Sequence, residues 1–155
     1  MTEERTMSSN DSLLEVVVKV QDKSVSLSEP CFLTVELTNK HNKKIKVNRR
    51  MAVGYVDSLS RELYIEIQER QTKQPAKMQV VDYNRASPVP SDYFFLSPGD
   101  TLKVTFDLFG MYPLWNSGQY VLTVHYQADE KWLNLPEDIV HGIFSSKPVE
   151  LHIAP

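Results

Sequence analysis

Hydrophobic and polar residues alternate with a period of two through most of this chain. Leu102, Val104, Phe106 and Leu108 are separated by Lys103, Thr105 and Asp107, and Tyr120, Leu122, Val124 and Tyr126 by Val121, Thr123 and His125. Successive side chains of a strand point to opposite faces, so this spacing predicts strands with one buried face. The alternation begins at Leu14, with Val16, Val18 and Val20 in phase, and resumes after a turn over Ser26–Pro30 in Cys31, Leu33, Val35 and Leu37. Asn39–Lys43 reads as a polar connection before the apolar pair Ile45 and Val47, and Leu63, Ile65 and Ile67 alternate with Glu62, Tyr64, Glu66 and Gln68. A short strand is predicted at Lys77–Val81. It precedes the loop Asn84–Pro90, whose Ser-Pro-Val-Pro run is barred from a central strand because proline lacks the ladder donor. Pro98-Gly99-Asp100 has the chemistry of a turn, and Val149, Leu151 and Ile153 mark the last strand.

A 3.6-residue apolar period with caps is missing, and Pro136–Val140 suits at most one short helical turn. The chain is therefore expected to be all-β, an antiparallel immunoglobulin-like β-sandwich of about eight or nine strands with a core of aliphatics and Tyr120. Its 155 residues suffice for one domain with a core of its own. The polar, aperiodic stretch Met1–Ser12 reads as a disordered tail, leaving residues 13–155 as the single domain. A formal charge of -3 argues against polyanion binding and membrane coating, so neither nucleic acid nor membrane is an expected partner. No run approaches the roughly 18 apolar residues of a membrane span, and Met1–Ser12 lacks the apolar centre of a signal peptide. As it stands the sequence reads as cytoplasmic, or as secreted or periplasmic if a leader was trimmed. Cys31, the single cysteine, precludes an intrachain disulfide and fits a buried thiol beside Phe32 and Leu33.

The segment FLSPGDTLKVTFDLFGMYPLWNSGQYVLTVHYQ joins Pro98-Gly99-Asp100, an alternating strand ending in Asp107-Leu108, a loop with Tyr112, and Gly118-Gln119-Tyr120 opening the next strand. In that order of parts the chain resembles a bacterial β-sandwich module found as the non-catalytic N-terminal region of deuterolysin-type and lysine-specific metalloendopeptidases. SLSEPCFLTVELTN and VHGIFSSKPVELHI look like stand-alone members of the same group, and intracellular proteinase inhibitors are similar more distantly. The resemblance spans residues 14–153 in outline and implies a sandwich fold with Tyr112 packed inward. Its motifs are turn and core residues, which carry fold rather than chemistry. The zinc motif His-Glu-x-x-His is absent, so peptidase activity is not implied.

No catalytic or metal constellation stands out. His41, His125, His141 and His152 include no i,i+4 pair, and His125 and His152, in the outward phase of their strands, read as solvated residues that could meet across a sheet. No Gly-x-Ser-x-Gly elbow is present, and Cys31 has no local electropositive neighbour to activate it. No cofactor is expected, nor an enzyme. Lys40–Arg50 holds six cations and no acid, which makes Lys43, Lys44 and Lys46 candidates for gripping an acidic partner or nucleic acid, though no aromatic is interleaved for base stacking; the alternative is a lysine-guarded edge strand. Two loops are apolar: Phe109–Trp115, and the stretch from Trp132 through Leu133 and Leu135 to Ile139, rimmed by Asp129, Glu130, Glu137 and Asp138. At the end of a sandwich such residues either plug the core or anchor a partner, and Trp132, Leu133, Leu135 and Trp115 are the anchor candidates. The functional expectation is a non-enzymatic, protein-binding accessory or inhibitor-like module, a monomer or weak dimer, acting through its end loops. Two alternatives stand beside it: edge strands that pair with a partner or a second copy, and a small-ligand or carbohydrate binder stacking on the loop tryptophans.

Overall fold

The computed structural model describes residues 13–51, 53–54, 62–76, 90–112, 114, 116–128 and 142–155. Eleven strands run through them: β1 (Leu14–Val20), β2 (Ser24–Ser26), β3 (Phe32–Asn39), β4 (Ile45–Asn48), β5 (Val53–Gly54), β6 (Leu63–Glu69), β7 (Tyr93–Leu96), β8 (Thr101–Asp107), β9 (Gly118–Ala128), β10 (Gly142–Ser145) and β11 (Val149–Ala154). One helical turn, α1 (Leu108–Met111), and a 3-10 turn at Pro90–Asp92 complete the elements. The chain is thus mostly β. The tail Met1–Ser12, the strand expected at Lys77–Val81, the loop from Asn84 to Val89 and the helical turn expected at Pro136–Val140 lie outside the described residues.

Three sheets form. One has the order β1-β3-β8, the second β2-β11-β9-β6-β5 with β10 also on β9, and β4 and β7 make a two-stranded ribbon. Most pairings are antiparallel, as the alternation predicts, but β2 runs parallel to β11 and β5 parallel to β6 at the margins of the second sheet. β10 lies inside the segment VHGIFSSKPVELHI, ahead of the last strand, where the sequence shows no alternation of its own. The inward residues of all three sheets meet in a single core, with β1 lying against β9, β10 and β11.

Alternation overstated β8. Leu102, Val104 and Phe106 are only half-buried, and Leu108 has left the strand to become the first residue of α1, fully buried. Asp107 causes the break. Its Oδ1 accepts from the Phe109 N–H at 3.1 Å, capping the helical turn, and from the Cys31 N–H at 2.9 Å. The same carboxylate therefore ends β8 and fastens it to the start of β3.

Three buried tyrosines lock elements together by their hydroxyls. Tyr112, 1% exposed, packs inward as expected and accepts from the Ile65 N–H at 3.1 Å. Tyr126 accepts from the Asn48 N–H at 2.9 Å, and Tyr120 donates to the Asn116 carbonyl at 2.7 Å. Each buries a large ring yet leaves its polar tip satisfied.

The β4–β7 ribbon prolongs the β3–β8 ladder past an interruption formed by residues 40–44 on one side and 97–100 on the other. The second side is the expected turn, closed by Asp100 N–H to the Ser97 carbonyl at 2.9 Å, with Gly99 at φ 83 where a side chain is disfavoured. Asn39, 1% exposed, staples the interruption. Its Nδ2 donates to the carbonyls of Lys43 (2.9 Å) and Leu96 (2.8 Å), while its Oδ1 accepts from the His41 N–H at 2.8 Å.

Candidate functional site

Of the residues nominated from sequence, Trp115, Trp132, Leu133 and Leu135 lie outside the described residues, as do His141 and the acidic rim Asp129, Glu130, Glu137 and Asp138. Lys43, Lys44 and Lys46 are described, and the basic run to which they belong does not form one face. Lys43 and Lys44 project from the ladder interruption into solvent. Lys46, between the buried Ile45 and Val47, holds its Nζ 4.9 Å from the centre of the Phe95 ring on the paired strand, a cation–π contact. Lys40 reaches Glu15 at 3.8 Å, and Arg50 turns into the protein.

Arg50 meets Glu62 in a fork, Nε to Oε1 at 3.0 Å and Nη2 to Oε2 at 2.6 Å. Glu62 is 0% exposed and the Arg50 side chain 16%. Hydrogen bonding to Glu62 pushes the guanidinium pKa above its already high ordinary value, against the opposing effect of burial. Asn48 accepts the Arg50 N–H on its Oδ1 at 2.7 Å, whereas its Nδ2 and the Tyr93 hydroxyl, both buried and close to each other, form no well-aligned hydrogen bond among the described residues. Burial pushes the Tyr93 phenol up to about 12, with the nearby Asn48 amide pulling the other way. This polar knot ties β4 and β7 to β6 and β9.

A second cluster occupies the outer face of the β6–β9–β10 region. His125 Nδ1 lies 2.7 Å from Ser145 Oγ, and its Nε2 lies 3.0 Å from Glu66 Oε1. The Tyr64 ring stacks on the imidazole with centroids 4.6 Å apart. An ionised carboxylate only accepts, so the Glu66 contact calls for a proton on Nε2; Nδ1 then accepts from the Ser145 hydroxyl when the ring is neutral and donates to it when the ring is charged. The expectation of a solvated His125 is thereby corrected, since cross-strand neighbours from both sides engage it. Nor does it meet His152, which pairs with Gln119 while His125 pairs with Ser145. Carboxylate, imidazole and hydroxyl follow the order of a hydrolytic triad. Acyl transfer also needs donors aimed at a developing oxyanion, and the Ser146 N–H next to this hydroxyl is already committed to the Val124 carbonyl at 2.8 Å. Glu66 and Ser145 were not legible as partners of His125 because they converge only through strand register.

Between β1 and the β10–β11 run the sheets leave a groove of about 660 Å³, lined by Leu14, Val16, Val18, Phe144, Ser146 and Val149 among others. Along it runs a sheet edge that is unpaired among the described residues. Lys40 N–H donates to the Leu13 carbonyl and Gln21 N–H to the Phe32 carbonyl, both at 3.0 Å. Odd-numbered residues of β1 thus spend their backbone groups on β3, and by the antiparallel rule Leu14, Val16, Val18 and Val20 turn theirs to the other side. Among the described residues no strand pairs there.

Cys31 is buried, and burial together with Asp107 and Asp22 pushes its thiol up to about 11, which keeps it protonated and unreactive at neutral pH. Among the described residues no three His, Cys, Asp or Glu side chains gather as metal ligands, and no helix is long and apolar enough to cross a membrane. No protein-family model matches the chain, and no curated protein matches it.

Proposed function

We propose that this chain is a non-enzymatic, immunoglobulin-like β-sandwich module that binds another protein, and that the contact is strand addition at the open edge of β1. Two features support the sandwich assignment. The neighbours β1-β3-β8 and β6-β9-β11 follow the A-B-E and C-F-G order of such domains. Tyr120, at the start of the central strand β9, bonds back to the Asn116 carbonyl in the manner of a tyrosine corner.

The observation that carries the binding reading is the edge itself. β1 is seven residues long and contains no proline or bulge, two of the devices that blunt an exposed edge, and its one lysine, Lys19, is balanced by Glu15. The outward main-chain donors and acceptors of Leu14, Val16 and Val18 lie at the floor of the groove, where these residues are at most 6% exposed, so an incoming extended segment reaches them by entering it. A module acting this way occludes or scaffolds its partner without chemistry, in keeping with an accessory or inhibitor-like role. Contact through Trp115, Trp132, Leu133 and Leu135 is the alternative route on the same scaffold.

A peptide array of extended segments with alternating apolar residues, read by fluorescence polarisation, tests the proposal. Val18→Pro removes an outward N–H without touching a bond to β3, so it should abolish binding while circular dichroism still reports a folded chain. Binding that survives Val18→Pro and disappears in Trp132→Ala would move the contact to the loops and refute the edge reading.

A further inference from the structure

The geometry points to a second copy of this chain as the occupant of the β1 edge, in an antiparallel pairing centred on Val17. This rests on the reading of that edge as a strand acceptor. Backbone parity restricts the registers, because hydrogen-bonded pairs must join residues whose amides face outward, namely Leu14, Val16, Val18 and Val20. Pairing Val16 with Val18 and Leu14 with Val20 of the second copy meets that requirement. It also puts Glu15 opposite Lys19 and, by the two-fold axis, Lys19 opposite Glu15. Shifting the register by two residues in either direction sets Glu15 against Val17 or Gln21 and loses both charge pairs. Side-chain faces agree as well: Leu14, Val16 and Val18 stay on the core side, and Glu15, Val17 and Lys19 on the outer side, in both copies.

The remaining edges are worse templates. β2, β5 and β10 have three, two and four residues. β8 is as long as β1, but a symmetric pairing about its centre, Val104, sets Lys103 against Thr105 and Thr101 against Asp107, and so forms no charge pair. Closure by β1 joins two three-stranded sheets into one of order β8-β3-β1-β1-β3-β8, and the isologous contact uses up the edge instead of propagating it.

Sedimentation equilibrium of the whole chain tests this by charge reversal. Wild type should dimerise, and Glu15→Lys or Lys19→Glu should each weaken the dimer on the order of tenfold by placing like charges opposite one another twice. The double reversal should restore the wild-type constant. Within one chain Glu15 faces Lys40 and Lys19 faces Glu36, and those contacts stay mismatched in the double variant, so recovery arises only across the interface. As an independent readout, Val17→Cys should cross-link with itself under mild oxidation, since a non-hydrogen-bonded antiparallel pair sits within disulfide reach. A monomer at the highest soluble concentration overturns the second-copy inference, while Val18→Pro-sensitive peptide binding would leave the edge reading standing. A dimer that the double reversal fails to restore overturns the register, and a dimer indifferent to Val18→Pro overturns the edge for both.

Discussion

Replacing Arg50 by methionine strips from Glu62 a guanidinium that grips both carboxylate oxygens, at 3.0 and 2.6 Å, in a site where Glu62 is 0% exposed. Removing one member of a buried pair costs about 3–5 kcal/mol, because the remaining charge loses its counter-ion away from water. The 16% exposure of the Arg50 side chain lets solvent take over part of its role, so the lower end, about 3 kcal/mol, is expected. Glu62→Leu removes the counter-ion of the cation instead; Arg50 reaches water, and a loss of about 2 kcal/mol follows. The double replacement removes both charges and fills the space with apolar atoms, which should leave stability within about 1 kcal/mol of wild type. Urea unfolding followed by far-ultraviolet circular dichroism measures all four corners of the cycle. With a slope of about 2 kcal/mol per molar urea, Arg50→Met moves the midpoint down by about 1.5 M. If the double variant loses as much as the two single losses summed, the residues are uncoupled and the knot is not an ion pair in any energetic sense.

Asn39→Ala removes the staple across the ladder interruption and leaves the Leu96 and Lys43 carbonyls without their side-chain donor, at a cost of about 2–3 kcal/mol; thermal unfolding should show it, and a loss below about 0.5 kcal/mol would refute the role. Tyr93 and Tyr126 have phenols pushed above their ordinary value by burial, Tyr93 to about 12, so the folded state favours their neutral forms. That preference contributes fully below the unfolded value of about 10 and is lost as pH rises through the folded one, with each tyrosine removing about 1.4 kcal/mol per pH unit. Tyr93→Phe should be nearly neutral at pH 7, where it deletes a hydroxyl that forms no well-aligned hydrogen bond among the described residues, and should flatten the alkaline slope measured by urea titrations from pH 9 to 12. An unchanged slope would contradict the assignment.

Local pattern alone established the β class, because a period of two is a property of neighbouring residues and needs no knowledge of what lies across the sheet. Leu14–Val18, Leu33–Leu37, Leu63–Ile67 and Tyr120–Tyr126 bury the residues their alternation assigns to the core, and the Pro98-Gly99 turn falls where its chemistry puts it. Tyr112 likewise packs inward. The same logic failed where a polar group acts at a distance. Asp107 ends β8 by capping the next turn and bonding Cys31, 76 positions away, and a parallel pairing such as β2 with β11 leaves no local mark. Asn39 read as the start of a polar connection, yet it is buried, because its partners come from two sides of a ladder joined only in the fold. The basic run Lys40–Arg50 looked like one patch; strand alternation and burial sent Arg50 inward to Glu62 and Lys46 onto Phe95. The Ser145–His125–Glu66 cluster and the open β1 edge belong wholly to tertiary structure. Both depend on which strands stand side by side and which stands last, and strand order is decided by the joint burial of all faces in one core, which no single segment encodes.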